Sequence, residues 1–225
     1  MKGIVIGAGQ SHKDENVIDV LSEAKKRNDT DLLKDVVILS TDRTLKYVLE
    51  KGIIPEYCGI QENLYPATRF GVTDYLPIFF NHDIVKKHAS EITLYHAQAL
   101  RWQRTKILSG MGFKMIRFNR HGCGGNLKPV IVTCGHCAMA LVQIGRYILK
   151  LDKIATIGMD MDLTGSWKIY ENDVLNVQQT MLQSTIRKTA SDFVDTRKPI
   201  YNLTRKGMFH CRGVEETNID EFLKM

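Results

Sequence analysis

Residues able to do chemistry fall at the ends of short apolar runs in this chain. Ile4-Val5-Ile6 stops at Gly7-Ala8-Gly9-Gln10-Ser11. Two glycines there let backbone approach a ligand closely, and bare amides at the start of a following helix suit a phosphate. A third glycine of the dinucleotide fingerprint is missing, so a tight turn that binds nothing is the alternative. On the ligand reading, Gly9→Val would fill the phosphate's place and leave the chain folded. Val36-Val37-Ile38-Leu39 ends at Ser40-Thr41-Asp42, where an acid meets a ribose hydroxyl or caps the next helix. After Tyr57–Ile60 come Gln61-Glu62-Asn63, one carboxylate that could hold Mg²⁺ through waters. Ile154–Ile157 runs into Gly158-Met159-Asp160-Met161-Asp162, whose acids at i and i+2 face one side of an extended segment. Asp160, Asp162 and Glu62 are the metal or base candidates, in that order. Arg101, Arg104 and Lys106 are candidate phosphate-binding cations.

Cysteine chemistry is the other option. Thr133-Cys134-Gly135-His136-Cys137, with His121 and Cys123 upstream, gathers soft ligands near one another. Zinc is conceivable, but the spacing matches no common structural finger, and small residues at a helix start also pack a close helix–sheet contact. Of the other histidines, His12 lies beside the glycine turn and could meet phosphate. His82, His88, His96 and His210 read as surface or structural. No Ser-His-Asp order, G-x-S-x-G or Walker lysine is present.

The elements that must hold these residues follow from periodicity. Apolar strands at Ile4–Ile6, Val36–Leu39 and Tyr57–Ile60 alternate with helical spacing at Val17, Ile18, Val20 and Leu21 and at Leu45, Val48 and Leu49. That alternation predicts a parallel sheet with right-handed crossovers. Further strands are expected at Ile92–Tyr95, Met115–Phe118, Ile154–Ile157 and Ile200–Asn202. Helices are expected over Trp102–Met111, Cys134–Lys150, Val174–Ala190 and Glu221–Lys224. Ser11 and Asp14 are candidate caps for the first helix. In the long helix Ala138, Leu141, Val142, Tyr147 and Ile148 are the expected buried positions. The whole chain, residues 1–225, reads as a single α/β domain, with a less regular segment around 61–130.

Composition sets the outer bounds. A chain of 225 residues with 44% hydrophobic and 25% charged residues can bury a large core, which excludes disordered and disulfide-stapled classes. The formal charge of +6 is spread out, with no run of five basic residues, so it suits an anionic small molecule better than nucleic acid. The stretch from Pro129 to Gly145 is too short and polar to span a bilayer and reads as a buried helix. Five cysteines without a secretory signal imply reduced thiols and a cytoplasmic location.

Several of these segments, taken in order, resemble the 6-hydroxymethylpterin diphosphokinase (MptE-like) family. They are Ile4–Ser11, Ser40–Lys46, Gly52–Tyr57, the helix from Gly135 to Tyr147, Ile157–Asp160, and Tyr201–Thr204 through Gly207 to Gly213. The family's wider relatives look like flagellin-modifying and sialic-acid-type glycosyltransferases. The resemblance implies a Rossmann-like fold, mostly parallel, with helices on both faces. It also implies Mg²⁺-dependent diphosphate transfer from ATP to a pterin-like hydroxymethyl acceptor. A nucleotide sugar is the donor if the glycosyltransferase branch applies, and a non-catalytic nucleotide-binding protein is the third reading. Carried over, Gly7, Ala8, Gly9, Gln10 and Ser11 form the phosphate turn. Thr41, Asp42 and Gly135 join them as nucleotide-binding positions, Asp42, Asp160 and Asp162 are catalytic, and Glu62 and Asp160 hold the metal. Gln10 replaces the family's usual proline. Gln61-Glu62-Asn63 replaces the diphosphokinases' Asp-x-Asp, and its single acid is closer to the glycosyltransferase-like branch. The expected partners are a nucleotide and a small acceptor, with self-association as in such relatives.

Overall fold

A computed structural model describes residues 1–9, 11, 16–27, 33–60, 79–97, 102–120, 128–131, 137–160, 198–204 and 213–225. In chain order the elements are β1 (Lys2–Ile6), α1 (Val17–Lys26), β2 (Val36–Thr41), α2 (Asp42–Glu50), β3 (Tyr57–Ile60) and α3 (Asp83–His88). A 3₁₀ turn at Ala89–Glu91 leads to β4 (Thr93–Ala97), α4 (Trp102–Gly110), β5 (Lys114–Arg120) and β6 (Val130–Ile131). Then come α5 (Cys137–Tyr147), β7 (Lys153–Ile157), β8 (Ile200–Asn202), β9 (Val214–Glu216) and α6 (Ile219–Lys224).

The strands form one nine-stranded sheet in the order β6-β5-β4-β3-β2-β1-β7-β8-β9. Every pairing is parallel. This is the doubly wound α/β architecture expected of the sequence. The chain winds outward from β1 to β6, then α5 carries it back to the other side of β1, so the order reverses between β1 and β7.

Alternation along each strand separates the core into two layers. Ile4, Ile6, Ile38, Ala155 and Ile157 pack with Val17, Ile18 and Leu21 of α1 and with Phe222 of α6. The same side continues through Cys58, Ile60 and Leu94 to Leu45 of α2, Val85 of α3 and Leu108 of α4. On the opposite side Val5, Leu39, Tyr95, Phe118 and Ile154 receive α5. From Ala138 to Arg146 that helix is buried all round, as its apolar composition requires.

Some boundaries differ from expectation. The first helix takes Asn16 as its N-cap, at φ 53, rather than Ser11 or Asp14. Asn tolerates this left-handed conformation better than most residues. Val130–Ile131 is a short edge strand rather than helix. The long helix ends at Tyr147, which is 53% exposed and not a core position. α3, the 3₁₀ turn and β9 carry weak periodicity and were not expected. The helix expected over Val174–Ala190 lies outside the described residues. Among those residues no helix is long and apolar enough to cross a membrane.

Candidate functional site

Parallel sheets offer their ligand sites at the carboxyl ends of the strands, so the geometry there decides what the candidate residues do. At the reversal point the turns after β1 and β7 are joined to each other. The Gly7 amide donates to the Ile157 carbonyl at 2.8 Å and the Gly9 amide to the Gly158 carbonyl at 2.7 Å. The Ser11 amide donates to Asp160 Oδ2 at 2.8 Å, and the Ser11 hydroxyl donates to Asp160 Oδ1. The Gly158 amide in turn donates to Ser11 Oγ at 3.1 Å. Ser11 is 1% exposed and Asp160 4%.

Glycine is needed here for approach of protein to protein. A Cβ on Gly7 would lie 2.4 Å from the Gly158 carbonyl oxygen, and one on Gly9 would lie 2.7 Å from Asp160 Cγ. Gly158 itself sits at φ +69. The expectation that Gly7, Gly9 and Ser11 present bare amides to phosphate is therefore corrected, because all three amides are spent inside the fold. Ala8 lies half-buried between them, and Gln10 and His12 fall outside the described residues.

The same bonds revise Asp160. Both of its oxygens accept from Ser11, which ties Asp160 to the β1 turn. Glu62 and Asp162 fall outside the described residues. Among the described residues no three His, Cys, Asp or Glu side chains converge as a metal site. Of the three acid candidates only Asp160 is described, and its oxygens are engaged by Ser11.

One strand over, the end of β2 is a ladder of hydroxyls. Thr44 Oγ1 lies 3.0 Å from Ser40 Oγ and 3.1 Å from Thr41 Oγ1. It also stands 3.2 Å from the Ile6 carbonyl oxygen, tying α2 to the end of β1. Thr41 is the N-cap of α2 and Asp42 its first residue. The Asp42 carboxylate accepts from the Arg43 amide at 2.9 Å and is 6% exposed, an acid at the positive end of a helix dipole. Asp42 was expected to cap this helix, but Thr41 takes the N-cap position, without a side-chain cap hydrogen bond, and Asp42 stands one residue inside.

β3 and β4 bring together what the sequence left apart. Cys137, the first residue of α5, donates its thiol to the Gly59 carbonyl at 3.0 Å. A Cβ on Gly59 would stand 2.9 Å from Leu141, so this glycine lets α5 start directly over the carboxyl end of β3. Cys58, beneath, is fully buried, and burial first and the Asp42 charge second push its thiol well up. Both cysteines are therefore thiols. The remaining zinc candidates, His121, Cys123, Cys134 and His136, lie outside the described residues, as does Gly135.

His96, second from the end of β4, was read as surface or structural, and the structure buries it. It is 2% exposed, with Nδ1 3.1 Å from the Ala97 carbonyl oxygen. Burial pushes its pKa down, the Ala97 bond raises it, and the charge of Arg117 lowers it further. The signal that marks it is position, since a polar residue at a carboxyl strand end is the same clue that pointed to Asp42. Arg104 and Lys106 lie on α4, and Arg101 falls outside the described residues.

No protein-family model matches the chain, and no curated protein sequence matches it. Among solved structures, the MAf glycosyltransferase of Magnetospirillum magneticum AMB-1 superposes with a TM-score of 0.63 over 97% of this chain, at 13% sequence identity. The chain spans 34%, about a third, of that structure's length. The likeness is one of fold.

Proposed function

We propose that the chain is a glycosyltransferase domain that takes a sugar from a nucleotide sugar and passes it to a hydroxyl acceptor. The carrying observation is the superposition of nearly the whole chain on part of a glycosyltransferase. The single acid in Gln61-Glu62-Asn63, closer to the glycosyltransferase-like branch of the sequence resemblance, supports the same reading. Nothing comparable favours diphosphate transfer from ATP to a pterin.

Since the β1–β7 turns close on themselves, the donor in this proposal would lie over the carboxyl ends of β2, β3 and β4. Asp42 would accept hydrogen bonds from the ribose hydroxyls. Gly135 stays a nucleotide-binding position in this proposal, and the start of α5 at Cys137 would offer its amides to the diphosphate or phosphate. Catalysis would consist of orienting the acceptor oxygen toward the anomeric carbon and stabilising the departing nucleotide. Cytoplasmic action and self-association belong to this proposal as well.

Thermal shifts with CMP-, UDP- and GDP-sugars, followed by detection of released nucleotide in the presence of hydroxyl acceptors, test it. One donor class is expected to raise the melting midpoint by several degrees. A parallel incubation with ATP, Mg²⁺ and hydroxymethyl-dihydropterin should release no AMP. Pterin-dependent AMP release, with no response to any nucleotide sugar, would overturn the proposal.

A further inference from the structure

His96 is the one buried imidazole at the carboxyl edge of the sheet among the described residues. Leu94 faces the α2–α3–α4 side while Tyr95 and Ala97 face α5. Alternation therefore puts His96 on the α2–α3–α4 side at the ligand-binding end. Its neighbours in register are Ile60 on β3, which is apolar, and Arg117 on β5, an exposed cation. The bond to the Ala97 carbonyl requires hydrogen on Nδ1, since a carbonyl only accepts. The lone pair is then on Nε2, which has no partner among the described residues.

We propose that His96 Nε2 is the general base that takes the proton from the acceptor hydroxyl, a role that rests on the glycosyl-transfer reading above. As the proton moves to Nε2, the acceptor oxygen forms its bond to the anomeric carbon of the nucleotide sugar. The bond from that carbon to the phosphate oxygen breaks, and its electron pair leaves with the nucleotide. The imidazolium then returns its proton to water. Burial first, and the charge of Arg117 after it, oppose protonation of the ring, so the imidazole is neutral and able to accept at pH 7. The Ala97 carbonyl fixes the tautomer, as a hydrogen-bonded partner does for many catalytic histidines.

His96→Asn keeps an N–H for Ala97 and removes the base. Transfer by the full chain, with whichever nucleotide sugar the panel selects, should fall about a hundredfold or more. Donor affinity should stay within about twofold, since the lost interaction belongs to the transition state. His96→Ala with added imidazole should regain part of the rate. The acid limb of kcat/KM should lie below pH 6.5 in the natural chain, move upward in Arg117→Gln, and vanish in His96→Asn. An active natural chain with an equally active His96→Asn removes the base and leaves the glycosyltransferase reading standing. Equal losses of rate and donor affinity, without imidazole rescue, make His96 structural. A natural chain inactive with every nucleotide sugar removes both readings.

Discussion

A carboxylate buried to 4% exposure costs stability unless its charge is met, and Ser11 meets that of Asp160 twice. Hydrogen bonds to a charged group are worth about 1.5–3 kcal/mol each. Ser11→Ala removes the hydroxyl bond and also strips the Gly158 amide of its acceptor. We expect it to lower stability by about 2–3 kcal/mol, read from urea midpoints at constant m-value. Loss of less than half that amount would mean that water replaces the hydroxyl. Gly9→Val, expected from the sequence to block a ligand in a folded chain, meets Asp160 and Gly158 instead. Its first effect should be on the melting midpoint, in the absence of any nucleotide.

The way α5 lies on the sheet depends on Gly59 and Leu141 together. Adding a methyl to Gly59 drives it to 2.9 Å from the Leu141 side chain, closer than real Cβ contacts come, and to a tight 3.2 Å from Cys137 Sγ. Gly59→Ala should therefore cost about 1–3 kcal/mol by overpacking. Leu141→Ala, at a fully buried site, should cost about 2–5 kcal/mol by opening a cavity. The double variant should cost clearly less than the sum, since each change relieves the other, and strict additivity would contradict this packing. The sequence could not show this pair. It marked Gly59 only as part of a strand and Leu141 only as a helix position, because 82 positions separate them. What it did show were elements with strong local periodicity. β3 and β8 fall at their expected residues, Tyr57–Ile60 and Ile200–Asn202, because apolar runs bounded by turn residues are local signals. The closure of the glycine turn by Asp160 was hidden for the same reason as the Gly59 contact. Both Gly-x-Gly and Gly-x-Asp were visible as strand ends, but their mutual bonding spans 149 positions and depends on β1 and β7 being neighbours.

For the molecule as a whole, two buried groups bound the pH range of greatest stability. In the folded chain His96 resists protonation, chiefly through burial, while in the unfolded chain it titrates near the ordinary 6.5. As pH falls through that value the unfolded chain gains a proton that the folded one refuses, so stability declines on the acid side. Cys58 acts in the opposite direction. Burial and the Asp42 charge hold its folded pKa well above the ordinary 9.0, so the unfolded chain loses a proton first as pH rises and stability declines on the alkaline side. Tyr95, raised by burial and by Tyr57, adds to that limb near and above 10.0. Each group contributes a slope of at most about 1.4 kcal/mol per pH unit. Urea midpoints measured from pH 5.5 to 10 should therefore form a plateau between these limits. His96→Asn should flatten the decline just below 6.5, before carboxylates titrate, and Cys58→Ala should flatten part of the decline above 9, on a lower baseline from the lost core contact. An acid limb that persists unchanged in His96→Asn would mean that the folded ring titrates as the unfolded one does, so that burial at the end of β4 is not what resists its protonation.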